Sequence, residues 1–309
     1  MTTTTSTWLV TSNLTQRPTC NSRLSSAIAG LNQTTPDRKS TPPQPLSGLG
    51  AVVTGASSGI GRQIALHFAA AGCEHLLVHY HRNRDDAEST AQEAHQHGTK
   101  VIVDRCDFSV PADADAFIDR AFAQMPRLSI WVHCAGVDVL TGEAANWTFD
   151  EKLKRLLDVD LLGSIRAGRD VGKRLREQSL QAAAPNPPTM IFISWDQATE
   201  GMEGDAGQMF SPVKAGVEAF AKSLAQDLAP HVRVNTLAPG WIQTAWGAST
   251  SDYWNRRAID QSLMHRWGTP QDVADAAVFL ASPASNFITG HTLPINGGWN
   301  RTYAIDRTQ

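Results

Sequence analysis

Eight residues, Thr54-Gly55-Ala56-Ser57-Ser58-Gly59-Ile60-Gly61, combine three glycines at Gly-x3-Gly-x-Gly spacing with the hydroxyls of Thr54, Ser57 and Ser58. Glycines let a backbone approach a diphosphate closely, and the free N–H groups of a following helix start meet its charge. The flanks suit such a cradle: Gly50 to Val53 reads as a strand and Arg62 to Ala71 as a helix. Farther along, Phe210 and Lys214 stand four residues apart, which puts both on one helix face. Ser194-Trp195-Asp196-Gln197 and Asp158-Val159-Asp160-Leu161 add a hydroxyl and carboxylates that can hold or move protons.

These residues need a scaffold, and the hydrophobic pattern supplies one. Strand candidates are Ala51 to Thr54, His75 to Tyr80, Lys100 to Asp104, Ser129 to His133, Met190 to Ser194, Val232 to Leu237 and His291 to Ile295. Helix patterns lie between them, at Ala112 to Gln124, Glu151 to Arg176, Val213 to Leu228 and Gln271 to Ala281. Near-continuous apolar strands alternating with helices imply a parallel sheet covered on both faces. Right-handed crossovers make it doubly wound, with ligands across the carboxyl ends of its strands. The expected fold is one α/β domain with a sheet of about seven strands.

Composition agrees with that class and excludes others. The chain has 309 residues, 41% hydrophobic and 18% charged, with a net charge of −3. Nothing in that balance calls for nucleic acid or an anionic membrane as partner, and no apolar run approaches the roughly 20 residues that span a bilayer. The four cysteines, Cys20, Cys73, Cys106 and Cys134, show no paired spacing, so a reducing, cytoplasmic setting is expected. Residues 1–45 differ from the rest: Thr-, Ser- and Pro-rich, with Asp37 their one acidic residue, they end in Thr41-Pro42-Pro43-Gln44-Pro45. Disorder is the default for such a segment, and an organelle transit peptide, implying a matrix location, is the second reading. The body is expected at 46–300, with a short tail at 301–309.

The order of several further motifs resembles the short-chain dehydrogenase/reductase family over residues 48–300. After the glycine run come Cys106-Asp107-Phe108, Val132-His133-Cys134-Ala135-Gly136, Lys214-Ala215-Gly216-Val217, Arg233-Val234-Asn235 and Pro239-Gly240 with Thr244. Arg266-Trp267-Gly268-Thr269-Pro270-Gln271-Asp272-Val273, Thr289-Gly290 and Asn296-Gly297-Gly298 complete the set. The resemblance implies a Rossmann-type fold and a nicotinamide dinucleotide. Gly55, Ser57, Gly59, Ile60 and Gly61 would cradle its diphosphate, Asp107 would hold its adenine, and Ala135 and Gly136 would be further cofactor-binding residues. Lys214 would grip the nicotinamide ribose, with Pro239, Gly240 and Thr244 beside the carboxamide. Asp107 has a second reading as a helix N-cap before Pro111. Past the second strand, Arg82 or Arg84 favours NADP(H) through a 2′-phosphate contact, with NAD(H) left open. The implied activity is hydride transfer with a small carbonyl compound, similar to 3-oxoacyl-(acyl-carrier-protein) or general ketone reductases, whose substrate can be carrier-bound. Family members pair through two long helices into homodimers or homotetramers, here those bearing Asp160 and Lys214.

The expected active site departs from the family. The family's proton donor is a Tyr four residues before the Lys; here that residue is Phe210, which has no proton to give. Asp160 takes the place of a relay Asn, and the place of a substrate-steadying Ser falls on Ser194, Trp195 or Asp196. Two readings follow. One is a reductase with a rewired proton path, in which Asp196, shielded by Trp195 and Phe210, stays protonated at neutral pH; Tyr253 is a second donor candidate. The other is a cofactor-binding pseudoenzyme, a sensor or partner subunit with little turnover.

Three remaining features carry paired readings. The carboxylates between Asp196 and Asp205 suit a metal, a cationic substrate or a solvated loop. Trp241, Trp246, Trp254 and Trp267 either line an aromatic substrate pocket or pack among themselves. The pairs His79/His81 and His95/His97 lack a third ligand at a telling distance, so no metal site is assigned, and His133 reads as structural.

Overall fold

The computed structural model describes residues 44–181, 186–248 and 250–300. The expected arm, apart from its last two residues, and the 301–309 tail therefore lie outside the described residues. Seven parallel strands form one sheet in the order β3-β2-β1-β4-β5-β6-β7: β1 Gly50–Val53, β2 His75–Tyr80, β3 Lys100–Arg105, β4 Ile130–His133, β5 Thr189–Ile193, β6 Arg233–Pro239 and β7 Thr292–Ile295. The order reverses between β1 and β4, so a crevice opens above the carboxyl ends of those two strands.

Side-chain alternation divides the core in two. Ala51 and Val53, Leu76 and Val78, and Ile130 and Val132 face helices α1 (Gly59–Ala70), α2 (Arg84–His95) and α9 (Pro270–Ala281). Val52, Leu77 and Trp131 point the other way, toward α3 (Pro111–Gln124), α5 (Ser164–Gln181) and α6 (Gly204–Leu228). Period-2 alternation within strands apolar on both sides is what a sheet buried on both faces requires. Pro294 sits in β7, an edge strand, where its missing N–H breaks no interior ladder.

Two helices differ from expectation in ways that matter for the site. The long helix expected from Glu151 is interrupted: α4 (Phe149–Leu156), closed at its start by a Thr148/Glu151 capping box, runs through a wide π turn at Leu157–Gly163 into α5. The widened turn carries Asp160 inward, 3% exposed. Helix α6 begins at Gly204 rather than Val213, so Phe210 and Lys214 stand well inside it. Two short helices, α7 (Ala245–Ala248) and α8 (Asp252–Gln261), follow β6.

Candidate active site

The first turn is held in shape from both sides. Gly55 and Gly59 have φ of +66° and +54°, and a Cβ on Gly61 would fall 2.3 Å from the Gly55 carbonyl oxygen. Side chains are therefore excluded from this turn for reasons of backbone geometry. Thr54 Oγ1 accepts the N–H groups of Cys134 and Ala135, each at 2.9 Å, which ties the turn to the end of β4. His79 Nδ1 accepts from Gly55 N at 3.0 Å, so Nε2 carries the proton and donates to the Cys106 carbonyl at 3.1 Å. This buried imidazole joins the ends of β1, β2 and β3, and burial depresses its pKa to about 4. Its role was missed in the sequence; the available signal was a His directly after the apolar Leu76-Leu77-Val78 run of β2.

The cradle fits a dinucleotide. Ser58 stands at the start of α1 with its side chain making no cap, which leaves the first-turn N–H groups free for an anion. A Cβ placed on Gly59 would meet Thr244 Cγ2 at 3.7 Å, so the loop after β6 reaches over the turn. Cys134 O and Ala135 lie within 3.0 Å of the corresponding position on Gly55. Thus Gly55, Gly59, Gly61, Ala135 and Thr244 come together from three strand ends. When bound, a reduced nicotinamide supplies hydride.

Just past β3 the carboxylate of Asp107 is already engaged. Its Oδ1 accepts from Ser109 N at 2.9 Å and Ser109 Oγ at 2.6 Å, while His81 Nε2 approaches Oδ2 at 3.2 Å. Asp107 therefore shapes the β3–α3 loop, and α3 is entered through Val110 and Pro111 rather than capped by it. Arg84 pairs with Glu88 at 3.4 Å along α2, whereas Arg82 is exposed and makes no ion pair among the described residues.

Between α6 and the π turn, Lys214 Nζ meets Asp160 Oδ2 at 2.8 Å, and Asp160 Oδ1 accepts from Val137 N at 2.9 Å. A Cβ on Gly136 would sit 2.9 Å from that same Oδ2, so glycine is needed there for the carboxylate to fit. Phe210 packs on the apolar cluster of Val139, Leu156, Met209 and Val213, and its ring meets Trp195 edge-on, 6.3 Å between centroids. Of the Ser194-to-Gln197 stretch, Trp195 is thus the residue that faces Phe210. Ser194, 5% exposed, donates to Glu218 Oε1 at 2.8 Å, toward α6.

Asp196 packs against the ends of β6 and β7. Its Oδ2 accepts from Asn296 Nδ2 at 3.1 Å, its backbone N donates to Pro239 O at 3.1 Å, and a Cβ on Gly240 would come within 2.9 Å of the carboxylate. Oδ1 is buried with no hydrogen-bond partner. Burial pushes the Asp196 pKa up to about 7, against the pull of Asn296 and of the backbone N–H groups of Gln197 and Asp196. A carboxyl group at the crest of β5, β6 and β7 that exchanges its proton near neutrality can act as a general acid. Asn296, quoted in the sequence only within an Asn-Gly-Gly motif, is the partner that reasoning along the chain did not assign.

The lid after β6 is an aromatic cluster around one cation. Arg257, 2% exposed, lies 5.8 Å from the Trp241 ring and 5.1 Å from the Trp254 ring, and pairs with Glu203 just before α6. Tyr253 packs on Trp254 and its hydroxyl oxygen accepts from Arg257 at 3.3 Å, so it is held by the lid. Trp241 and Trp267 are 6.1 Å apart, which makes packing one of their roles; the Trp246 side chain lies outside the described residues. The acidic run is dispersed, with Asp196 on Asn296 and Glu203 on Arg257. Among the described residues no three His, Cys, Asp or Glu side chains gather as a metal site.

The fold and this crest together define a class. A family model described as enoyl-(acyl carrier protein) reductase matches residues 55–300. The chain belongs to the short-chain dehydrogenase/reductase family, and is an oxidoreductase by that membership. It is 30% identical over 261 residues to the short-chain reductase protein NovJ of Streptomyces niveus, covering 80% of this chain and 92% of the relative. It is also 30% identical over 252 residues to 3-oxoacyl-(acyl-carrier-protein) reductase FabG of Staphylococcus aureus, covering 80% and 96%. A similar solved structure is a 7α-hydroxysteroid dehydrogenase complexed with NADH and 7-oxo glycochenodeoxycholic acid, at 26% identity and TM-score 0.73, covering 83% and 96%.

Proposed function

We propose that the protein is an NADP(H)-dependent reductase transferring hydride between nicotinamide and a carbonyl or alcohol carbon, with Asp196 in the proton-donating role that Phe210 cannot fill. The observation that carries this reading is the Asp196 carboxyl, unpartnered at Oδ1 and titrating near 7 at the crest of the sheet. Lys214 would hold the nicotinamide ribose, and Pro239 and Gly240 would flank the carboxamide. Arg82, exposed and without an ion pair among the described residues, supports a 2′-phosphate contact and so NADP(H) over NAD(H). NovJ and FabG, named as reductases, support a small or carrier-bound carbonyl substrate.

A pseudoenzyme reading is favoured by one observation: the Trp195–Phe210 ring pair stands where the family carries hydroxyls. Following NADPH absorbance against a panel of carbonyl compounds separates the two. Turnover supports the reductase; cofactor binding with no turnover on any substrate supports the sensor. A homodimer or homotetramer is proposed through α5 and α6, whose outer faces leave a groove of about 440 Å³ lined by Ile165, Arg169, Lys173, Phe220 and Leu224. A cytoplasmic location is proposed from the free thiols of Cys73, Cys106 and Cys134.

A further inference from the structure

Hydride addition to a ketone leaves an alkoxide, which needs hydrogen-bond donors around the oxygen as its charge develops. The described side chains around this site offer few. Phe210 presents a ring with no proton to donate, edge-on to Trp195. The Ser194 hydroxyl is taken by Glu218. The Lys214 ammonium is matched by Asp160 at 2.8 Å, so its charge is not free for an oxyanion. Each of these features disfavours a negative oxygen.

The same features favour a positive ligand. Aromatic rings attract cations through their quadrupoles, by about 0.5–2 kcal/mol. Asp196 contributes a buried carboxyl oxygen with no partner, and no ion pair reaches it among the described residues. Its neighbours are the Asn296 amide, the backbone about Gln197, and Gly240. An ionised carboxylate in such a shell is unfavourable unless a cation pairs with it.

We propose that the substrate class of this site is an imine reduced as its protonated C=N⁺ form, an inference that rests on the reading of the site as a hydride-transfer centre. The Asp196 carboxyl gives its proton to the imine nitrogen, and the resulting carboxylate stays beside the iminium. The imine carbon accepts the hydride that reduced nicotinamide supplies, and the C=N π pair becomes the nitrogen lone pair. The products are a neutral amine and oxidised nicotinamide, and Asp196 recovers a proton from water. No alkoxide forms, so neither a Tyr nor a Ser hydroxyl is required.

The experiment pairs binding with turnover on the full chain. N-methylisoquinolinium, a permanent cation, is titrated by tryptophan fluorescence against neutral isoquinoline at pH 8, without cofactor. The cation is expected to bind at least about tenfold more tightly, and Asp196→Ala to remove that preference. Affinity for the cation should also fall about tenfold from pH 8 to pH 6, as a carboxylate with a pKa about 7 takes up its proton. NADPH oxidation is then followed with cyclic imines and with carbocyclic ketones of matched shape, 3,4-dihydroisoquinoline against 1-tetralone being one pair. Faster turnover of the imines bears the proposal out, and Phe210→Tyr should shift the ratio toward ketones. Turnover of ketones alone, with equal binding of the charged and neutral probes, overturns the imine assignment and leaves the reductase standing. Binding of NADPH with no turnover of either class overturns both.

Discussion

Asp160 and Lys214 meet at 2.8 Å, with the carboxylate 3% and the lysine side chain 16% exposed. The π turn in the α4–α5 helix brings the acid inward, and α6 presents the lysine. Both partners are charged in a poorly solvated place, so the pair matters most when half of it is removed. Asp160→Ala or Lys214→Ala should each lose about 3–5 kcal/mol of stability, because one buried charge is left alone. The double variant should recover much of that loss in a denaturant-based mutant cycle; strictly additive losses would show that the two do not act as a pair.

His133 should be the opposite case. Both ring nitrogens are buried without a hydrogen-bond partner, among Phe108 and Phe192, and burial depresses the pKa to about 3. Replacement by Leu removes two unpaired polar atoms from a core of similar volume. His133→Leu is expected to stabilise by about 1–3 kcal/mol at pH 7, read as a raised denaturation midpoint. A lowered midpoint would mean that the imidazole has a partner after all.

The pH dependence of stability follows from three groups with opposite signs. His79 and His133 have folded pKa values, about 4 and about 3, below the ordinary 6.5, so the unfolded chain binds their protons first. They cost nothing above 6.5, and stability falls as pH drops below it. Asp196 runs the other way: its pKa is raised from 3.8 to about 7, so the folded state holds its proton and stability falls as pH rises through that window. Asp196→Asn should steepen the rise of stability with pH between about 4 and 6.5, because the opposing contribution is gone, and His133→Leu should make the acid limb shallower. Equilibrium unfolding across pH 4–8 checks both slopes; an Asp196→Asn curve parallel to that of the parent protein would contradict the buried, protonated carboxyl.

The lid prediction concerns Arg257, whose guanidinium joins Glu203 to the rings of Trp241 and Trp254. Arg257→Met keeps the bulk of the stem and removes the charge that links α8 to the start of α6. The substrate KM should rise about tenfold while kcat stays nearly constant, the signature of lost uniform binding. A fall in kcat with KM unchanged would place Arg257 in the chemistry instead.

How far these features could be read along the chain depended on how local their causes are. The strand β2, Leu76 to Val78 at its centre, was legible to the residue because its apolar run is bounded on both sides by polar residues. The start of α6 was not: the helix pattern was read only from Val213, and the carboxylate run up to Asp205 was open to reading as a solvated loop. Yet Gly207 is required inside the helix, where a Cβ would strike the Met202 carbonyl oxygen at 1.9 Å. The glycine turn was legible because its chemistry is written in consecutive residues. The environment of Asp196 was only partly so, since Asn296, which holds its Oδ2, is 100 residues away. Trp195 was separable from Ser194 and Asp196 only when its ring was seen against Phe210.

The account turns on Asp196 as the proton source of a hydride-transfer site. Its most direct test is the rate of NADPH oxidation by Asp196→Asn with whichever substrate the parent enzyme turns over, with NADPH affinity measured alongside by fluorescence. The account predicts a loss of at least about 100-fold in rate with cofactor affinity unchanged. An Asn variant that turns over as fast as the parent, with the same pH profile, would contradict it.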